Sequence, residues 1–118
     1  MLRTMMKSKI HRARVTEACI DYEGSITIDS KLLEAADMLE YEQVRIYNIS
    51  NGERFITYVI RGEADSGVMC LNGAAARKVS VGDRIIVCTY IAVDDSEARG
   101  IKGRNVLVDE RNKITKIT

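Results

Sequence analysis

Val44-Arg45-Ile46-Tyr47-Asn48-Ile49 and Arg54-Phe55-Ile56-Thr57-Tyr58-Val59-Ile60 are two runs of β-branched and aromatic residues, and Asn51-Gly52 lies between them. An Asn-Gly pair accepts the positive φ angles of a tight hairpin turn, so the segment predicts two antiparallel strands. The second run is apolar on both of its faces, as a strand passing through a core would be. Arg54, Thr57 and Tyr58 are its polar exceptions, and polar groups buried there would need partners.

Working outward, the same alternation recurs on both sides. Ser25-Ile26-Thr27-Ile28-Asp29 places two isoleucines on one face of a strand. Asp29 or Ser30 can then cap a helix over Lys31 to Leu39, whose Leu32, Leu33, Ala36 and Leu39 share one side. Downstream, Gly67 to Leu71 predicts a short strand, and Asn72-Gly73-Ala74-Ala75-Ala76-Arg77 a small-residue turn that enters one helical turn. Such a turn lets a ligand approach the backbone N–H groups closely. Val81-Gly82-Asp83 leads into a buried strand from Ile85 to Ile91, Asp94 to Arg99 reads as a helical turn, and Asn105 to Asp109 as a last strand before a peripheral tail. Many short strands with little helix predict a mainly β chain built as a small barrel.

Residues 1–16 carry Arg3, Lys7, Lys9, Arg12 and Arg14 with no acid. Lys7, Lys9 and His11 share one face of a strand, a surface suited to an anionic small molecule. Nucleic-acid binding would call for stacking aromatics among these charges, and none precedes Tyr22. The 118 residues are 46% hydrophobic and 30% charged with a net charge of +1, which predicts one globular domain and excludes a disordered polyelectrolyte. No sustained apolar run follows Met1, so neither a signal peptide nor a membrane span is expected, and the expected location is cytoplasmic. Cys19, Cys70 and Cys88 are widely spaced and predict reduced, mostly buried thiols, with neither a disulfide framework nor a zinc site. His11 is the only histidine, which excludes a multi-histidine metal centre.

Tyr22-Glu23-Gly24-Ser25 admits two readings. Gly-Ser before a strand is ordinary turn punctuation. A serine hydroxyl can also attack the carbonyl preceding it where the backbone is held strained and donors stabilise the oxyanion, and glycine tolerates strained conformations.

Five segments in fixed order give the chain a resemblance to the pyruvoyl-dependent aspartate decarboxylases. They are Lys7-Ser8-Lys9-Ile10-His11-Arg12, Tyr22-Glu23-Gly24-Ser25, Asn51 through Tyr58, Leu71 through Ala76, and Val81-Gly82-Asp83 before the Ile85 strand. The resemblance implies a six-stranded double-psi β-barrel with short helices, assembled as a homotetramer with active sites between subunits. It implies that Ser25 attacks the Gly24 carbonyl and splits the chain into residues 1–24 and 25–118, leaving a pyruvoyl cofactor in place of Ser25. The ketone of that group forms an imine with the amine of L-aspartate and accepts the electrons released with CO₂, giving β-alanine for pantothenate synthesis.

By the same resemblance Thr57 holds the Gly24 carbonyl during cleavage, and Tyr58 protonates the carbanion. Arg54 and Lys9 take the substrate carboxylates, Gly73, Ala74 and Ala75 line the pocket, and Tyr22, His11 and Asn72 support it. Thr57 and Tyr58 are neighbours on one strand and should point to opposite faces, so both reach one site only if the strand twists or runs close beside it. The alternative for Arg54, less favoured, is a surface residue following a hairpin. Cys19, Asp21 and the proline-free Lys102-Gly103-Arg104 depart from the family pattern. A maturation factor is compatible with this chemistry. The competing interpretation is a non-enzymatic barrel of the swapped-hairpin type that binds nucleic acid through its basic N-terminal strand. It leaves Gly24-Ser25, Thr57-Tyr58 and Asn72 to Ala76 without a role.

Overall fold

The computed structural model describes residues 1–118. Strands β1 (Leu2–Arg14), β2 (Glu17–Cys19) and β3 (Ser25–Asp29) precede helix α1 (Ser30–Ala36). Then come β4 (Gln43–Asn48), β5 (Arg54–Gly62), β6 (Met69–Asn72), a 3₁₀ helix over Gly73–Lys78 and β7 (Arg84–Asp94). Helix α2 (Asp95–Ala98), β8 (Arg104–Val108) and β9 (Ile114–Ile117) complete the chain. The strands form one sheet in the order β2-β6-β3-β5-β4-β7-β1-β8-β9. The protein is therefore mainly β with short helices, an arrangement consistent with the expected small β-barrel, and nine strands in all are hydrogen-bonded in its sheet.

The hairpin forms with Tyr47 opposite Arg54 and Val44 opposite Thr57. Its connection is longer than a two-residue turn. Gly52 has φ +79°, while the Asn48 and Asn51 side-chain oxygens accept from the N–H groups of Ser50 and Glu53, each at 2.9 Å. These local bonds satisfy a five-residue loop that a two-residue turn would not need. β5 is not buried on both faces as expected. Val59 is fully buried and Phe55 packs on the core, but on the opposite face Ile56 is 53% exposed and Tyr58 and Ile60 are only half-buried.

Asp29 stands between β3 and α1. One carboxylate oxygen accepts from Lys31 N–H at 2.9 Å and from Asp65 N–H at 3.0 Å, and the other accepts from Gly67 N–H at 2.8 Å. It thus caps the helix and ties down the loop before β6. The helix ends early, at Asp37 with φ +54°, so Leu39 leaves the apolar face and is 69% exposed. The remaining side of α1 packs Leu32, Leu33 and Ala36 into a core of nineteen buried residues that includes Ile10, Ile26, Ile28, Ile46, Leu71 and Val87. Each large aliphatic side chain buried there contributes about 1.5–3 kcal/mol. The tail beyond Asn112 is peripheral, with every residue of β9 exposed, and it pairs antiparallel with β8 as an edge strand. No helix is long and apolar enough to cross a membrane.

Candidate active site

β3 lies between two strands of opposite direction, and this placement assembles the site. It pairs antiparallel with β6, setting Ser25 opposite Asn72, and parallel with β5, starting from Ile26 beside Val59. Continuing the parallel register sets Ser25 level with Tyr58 and Gly24 level with Thr57. Thr57 shares a cavity wall with Gly24, and Tyr58 shares one with Ser25, so their opposite side-chain directions pose no conflict.

Two adjoining cavities show the result. One, of about 480 Å³, is lined by Tyr22, Glu23, Ser25, Thr27, Tyr58, Ile60 and Asn72. The other, of about 350 Å³, lies against Gly24, Phe55, Ile56, Thr57, Tyr58, Ala74, Ala75 and Lys78. Tyr58 borders both, and its ring is tilted against that of Tyr41 at 6.4 Å between centroids.

Ser25 is only 4% exposed. Its hydroxyl donates weakly to the Glu23 carbonyl at 3.3 Å and accepts from the Asn72 side-chain amide at 3.0 Å. The same amide donates to Thr27 Oγ1 at 3.1 Å, while Asn72 Oδ1 accepts from the Cys70 thiol at 3.2 Å. Asn72 is thereby held at both ends, which fixes the direction of its N–H groups toward the junction. Burial and the neighbouring Cys19 push the Cys70 thiol up to about 12, so it is a donor at neutral pH.

The glycines divide the work differently from the sequence expectation. Gly24 has no positive φ, and a Cβ there would meet nothing nearer than the Asn72 carbonyl at 4.0 Å, so backbone permissiveness does not explain it. Gly73 does need to be glycine. Its φ is +65°, and a Cβ would lie 2.5 Å from the Tyr22 carbonyl and 2.6 Å from Gly24 N. Gly73 is buried against the junction, whereas Ala74 and Ala75 line the cavity.

Lys9, His11 and Arg54 line neither cavity. Lys9 pairs with Cys88 on β7 and Asn105 on β8, and the Arg54 guanidinium sits 3.9 Å over the Tyr47 ring centroid. Both cations act on the Cys88 thiol, whose pKa is nevertheless raised by burial. Tyr47 and Tyr90 share a 2.6 Å hydrogen bond beside them. His11 Nδ1 and Asn105 Oδ1 are buried without partners. Burial, then the charges of Lys9 and Arg12, hold the His11 ring below the usual histidine range. Lys7 does not join this group, because it is bound to Glu42 at 3.0 Å. Arg3 is likewise paired, with Asp95.

The basic strand is thus partly neutralised within the chain, and the chemistry concentrates at Gly24-Ser25. A family model described as aspartate decarboxylase matches residues 1–115. The chain is 60% identical over 114 residues to the aspartate 1-decarboxylase of Syntrophus aciditrophicus (strain SB), covering 97% of this chain and 98% of the relative. It is 57% identical to that of Thermoanaerobacter pseudethanolicus over 113 residues, with coverage of 96% and 97%. The Ralstonia pickettii (strain 12J) aspartate 1-decarboxylase is 53% identical over 117 residues, with coverage of 99% and 98%. With this likeness running through both cavity walls and the junction between them, the chain belongs to the aspartate decarboxylase family.

Proposed function

We propose that this chain is a pyruvoyl-dependent aspartate 1-decarboxylase that matures by cutting itself between Gly24 and Ser25. The observation that carries the proposal is the junction itself, a buried serine hydroxyl held by Asn72 between two cavities walled by Thr57 and Tyr58.

In the maturation step Ser25 Oγ attacks the Gly24 carbonyl carbon. The C–O bond forms, the Gly24–Ser25 C–N bond breaks, and the hydroxyl proton passes to the freed nitrogen. Thr57, level with Gly24, is placed to donate to the developing oxyanion. Elimination then removes the Ser25 α-proton, releases Gly24 as a carboxylate and leaves a dehydroalanine. Water replaces its nitrogen, ammonia departs, and residues 25–118 begin with a ketone.

The residues present fit that group. A 480 Å³ cavity opens at Ser25, and the missing Cβ of Gly73 leaves the space that the junction backbone fills, while the Asn72 amide holds the Ser25 hydroxyl before cleavage. The group supplies a carbonyl that accepts the electron pair released when CO₂ leaves. Tyr58, on the same side as Ser25, delivers a proton to the substrate carbon, yielding β-alanine for pantothenate synthesis. Ala74 and Ala75 bound the substrate without filling its space, and Tyr22 flanks the entrance.

Lys9, Arg54 and His11 enter this scheme from a second copy. Arg54 is exposed, Lys9 and His11 are half-buried, and in one chain none of the three lines either cavity. A homotetramer that sets these residues against the Ser25 cavity gives the substrate carboxylates their cationic partners.

Intact-mass spectrometry of wild-type and Ser25→Ala protein through warm incubation tests the maturation. Wild type should yield residues 1–24 and a pyruvoyl-terminated 25–118, and Ser25→Ala should stay whole. A wild-type chain that stays whole, and gains no cleavage in cell extract, overturns the proposal.

A further inference from the structure

The parallel pairing of β2 with β6 sets Glu17 beside Cys70 and Cys19 beside Asn72. Cys19, Cys70 and Glu17, whose spacing in the sequence predicts no metal site, are thereby gathered so that their ligating atoms all lie within 4.8 Å of one another. The two sulfurs are 3.9 Å apart. That is nearly twice the roughly 2.05 Å of a disulfide. It is a hydrogen-bonded contact of two thiols, and it also matches the roughly 3.8 Å that Zn–S bonds of about 2.3 Å set between two thiolates on one tetrahedral ion. All three cysteines are free, and Glu17 takes part in no ion pair.

From this geometry we infer that Glu17, Cys19 and Cys70 form a binding site for a thiophilic divalent cation of the Zn²⁺ class, with a fourth position open to water. Two soft donors and one carboxylate favour such an ion over Mg²⁺ or Ca²⁺, which require all-oxygen shells. Glu17 is exposed and Cys19 half-buried, so the ion enters from the surface while Cys70 holds it from within. Binding displaces the thiol protons to solvent.

The site also reaches the cleavage junction. The Cys70 S–H donates to Asn72 Oδ1, and the Asn72 amide holds Ser25 Oγ. Coordination removes that S–H donor, frees Asn72 to rotate, and so slows processing. This consequence rests on the self-cleavage proposed above, whereas the binding itself does not.

Co²⁺ titration of the purified full chain, under a non-thiol, non-chelating reductant, tests the binding. The expected result is a thiolate-to-cobalt charge-transfer band that saturates at one ion per chain and is displaced by Zn²⁺. Cys19→Ala should weaken it at least about tenfold, as should Glu17→Gln, an exposed change that leaves the fold intact. No band in wild type, or a band unchanged in both variants, overturns the site. The second measurement is intact mass of chain made by cell-free synthesis with and without Zn²⁺. Processing should slow with Zn²⁺ in wild type and not in Cys19→Ala. An unaffected rate alongside a cobalt band overturns the link to Ser25. Absence of cleavage without metal counts against the maturation reading and leaves the cobalt result standing.

Discussion

Asn72 directs both hydrogens of its side-chain amide toward the junction, to Ser25 Oγ and Thr27 Oγ1, and Gly73 beside it packs on the junction's backbone. The two glycines should therefore respond oppositely to a methyl group. Gly73→Ala places a Cβ against Tyr22 and Gly24 at positive φ, which costs about 1–3 kcal/mol and moves the scissile bond. Its urea midpoint should fall and its processing stop. Gly24→Ala has room, and its urea midpoint should match wild type. His11 makes a separate prediction about pH. Its folded pKa lies below the unfolded value of about 6.5, so between the two values the unfolded chain binds more protons. Stability should be fully present above that window and fall as pH drops through it. His11→Gln should remove this part of the slope when urea midpoints are measured from pH 7.5 to 5, and an unchanged slope would place the proton elsewhere. The importance of Ser25 was legible from its neighbours in sequence. The hold of Asn72 upon it was not, because forty-seven residues separate them and only the β3–β6 register joins them.

At the scale of elements, α1 and the hairpin were both legible, each for a local reason. Asp29 is a helix-capping residue followed by spaced leucines, and the hairpin is an Asn-Gly flanked by strand formers. What the local pattern missed was their ends. Asp37 adopts the left-handed conformation and stops α1 before Leu39, and side-chain hydrogen bonds of Asn48 and Asn51 lengthen the hairpin loop. Asp29 also does more than cap. Asp29→Ala should leave the N–H groups of Lys31, Asp65 and Gly67 without their acceptor, that of Gly67 in a buried position, and cost about 3 kcal/mol. Equilibrium urea denaturation measures this directly, and a loss below about 1 kcal/mol would mean that water replaces the carboxylate at little cost.

For the molecule as a whole, the separation of Lys9 and Arg54 from the Ser25 cavity is the decisive feature. If a second copy supplies those cations, Lys9→Ala and Ser25→Ala chains should each be inactive alone yet regain part of the decarboxylase activity when coexpressed. A co-purified mixed oligomer with no activity would confine the site to one chain. The sequence by itself determined the mainly β class, the capped helix, the hairpin and the family, because turn chemistry, alternation and ordered motifs are local properties of the chain. Only the tertiary structure decided which distant residues meet. The two neighbours of β3 set Tyr58 and Asn72 on either side of Ser25, and β2–β6 pairing gathers Glu17, Cys19 and Cys70. Strand register is chosen by burial of the whole core at once, and a shift of one residue would turn every one of these side chains to the other face.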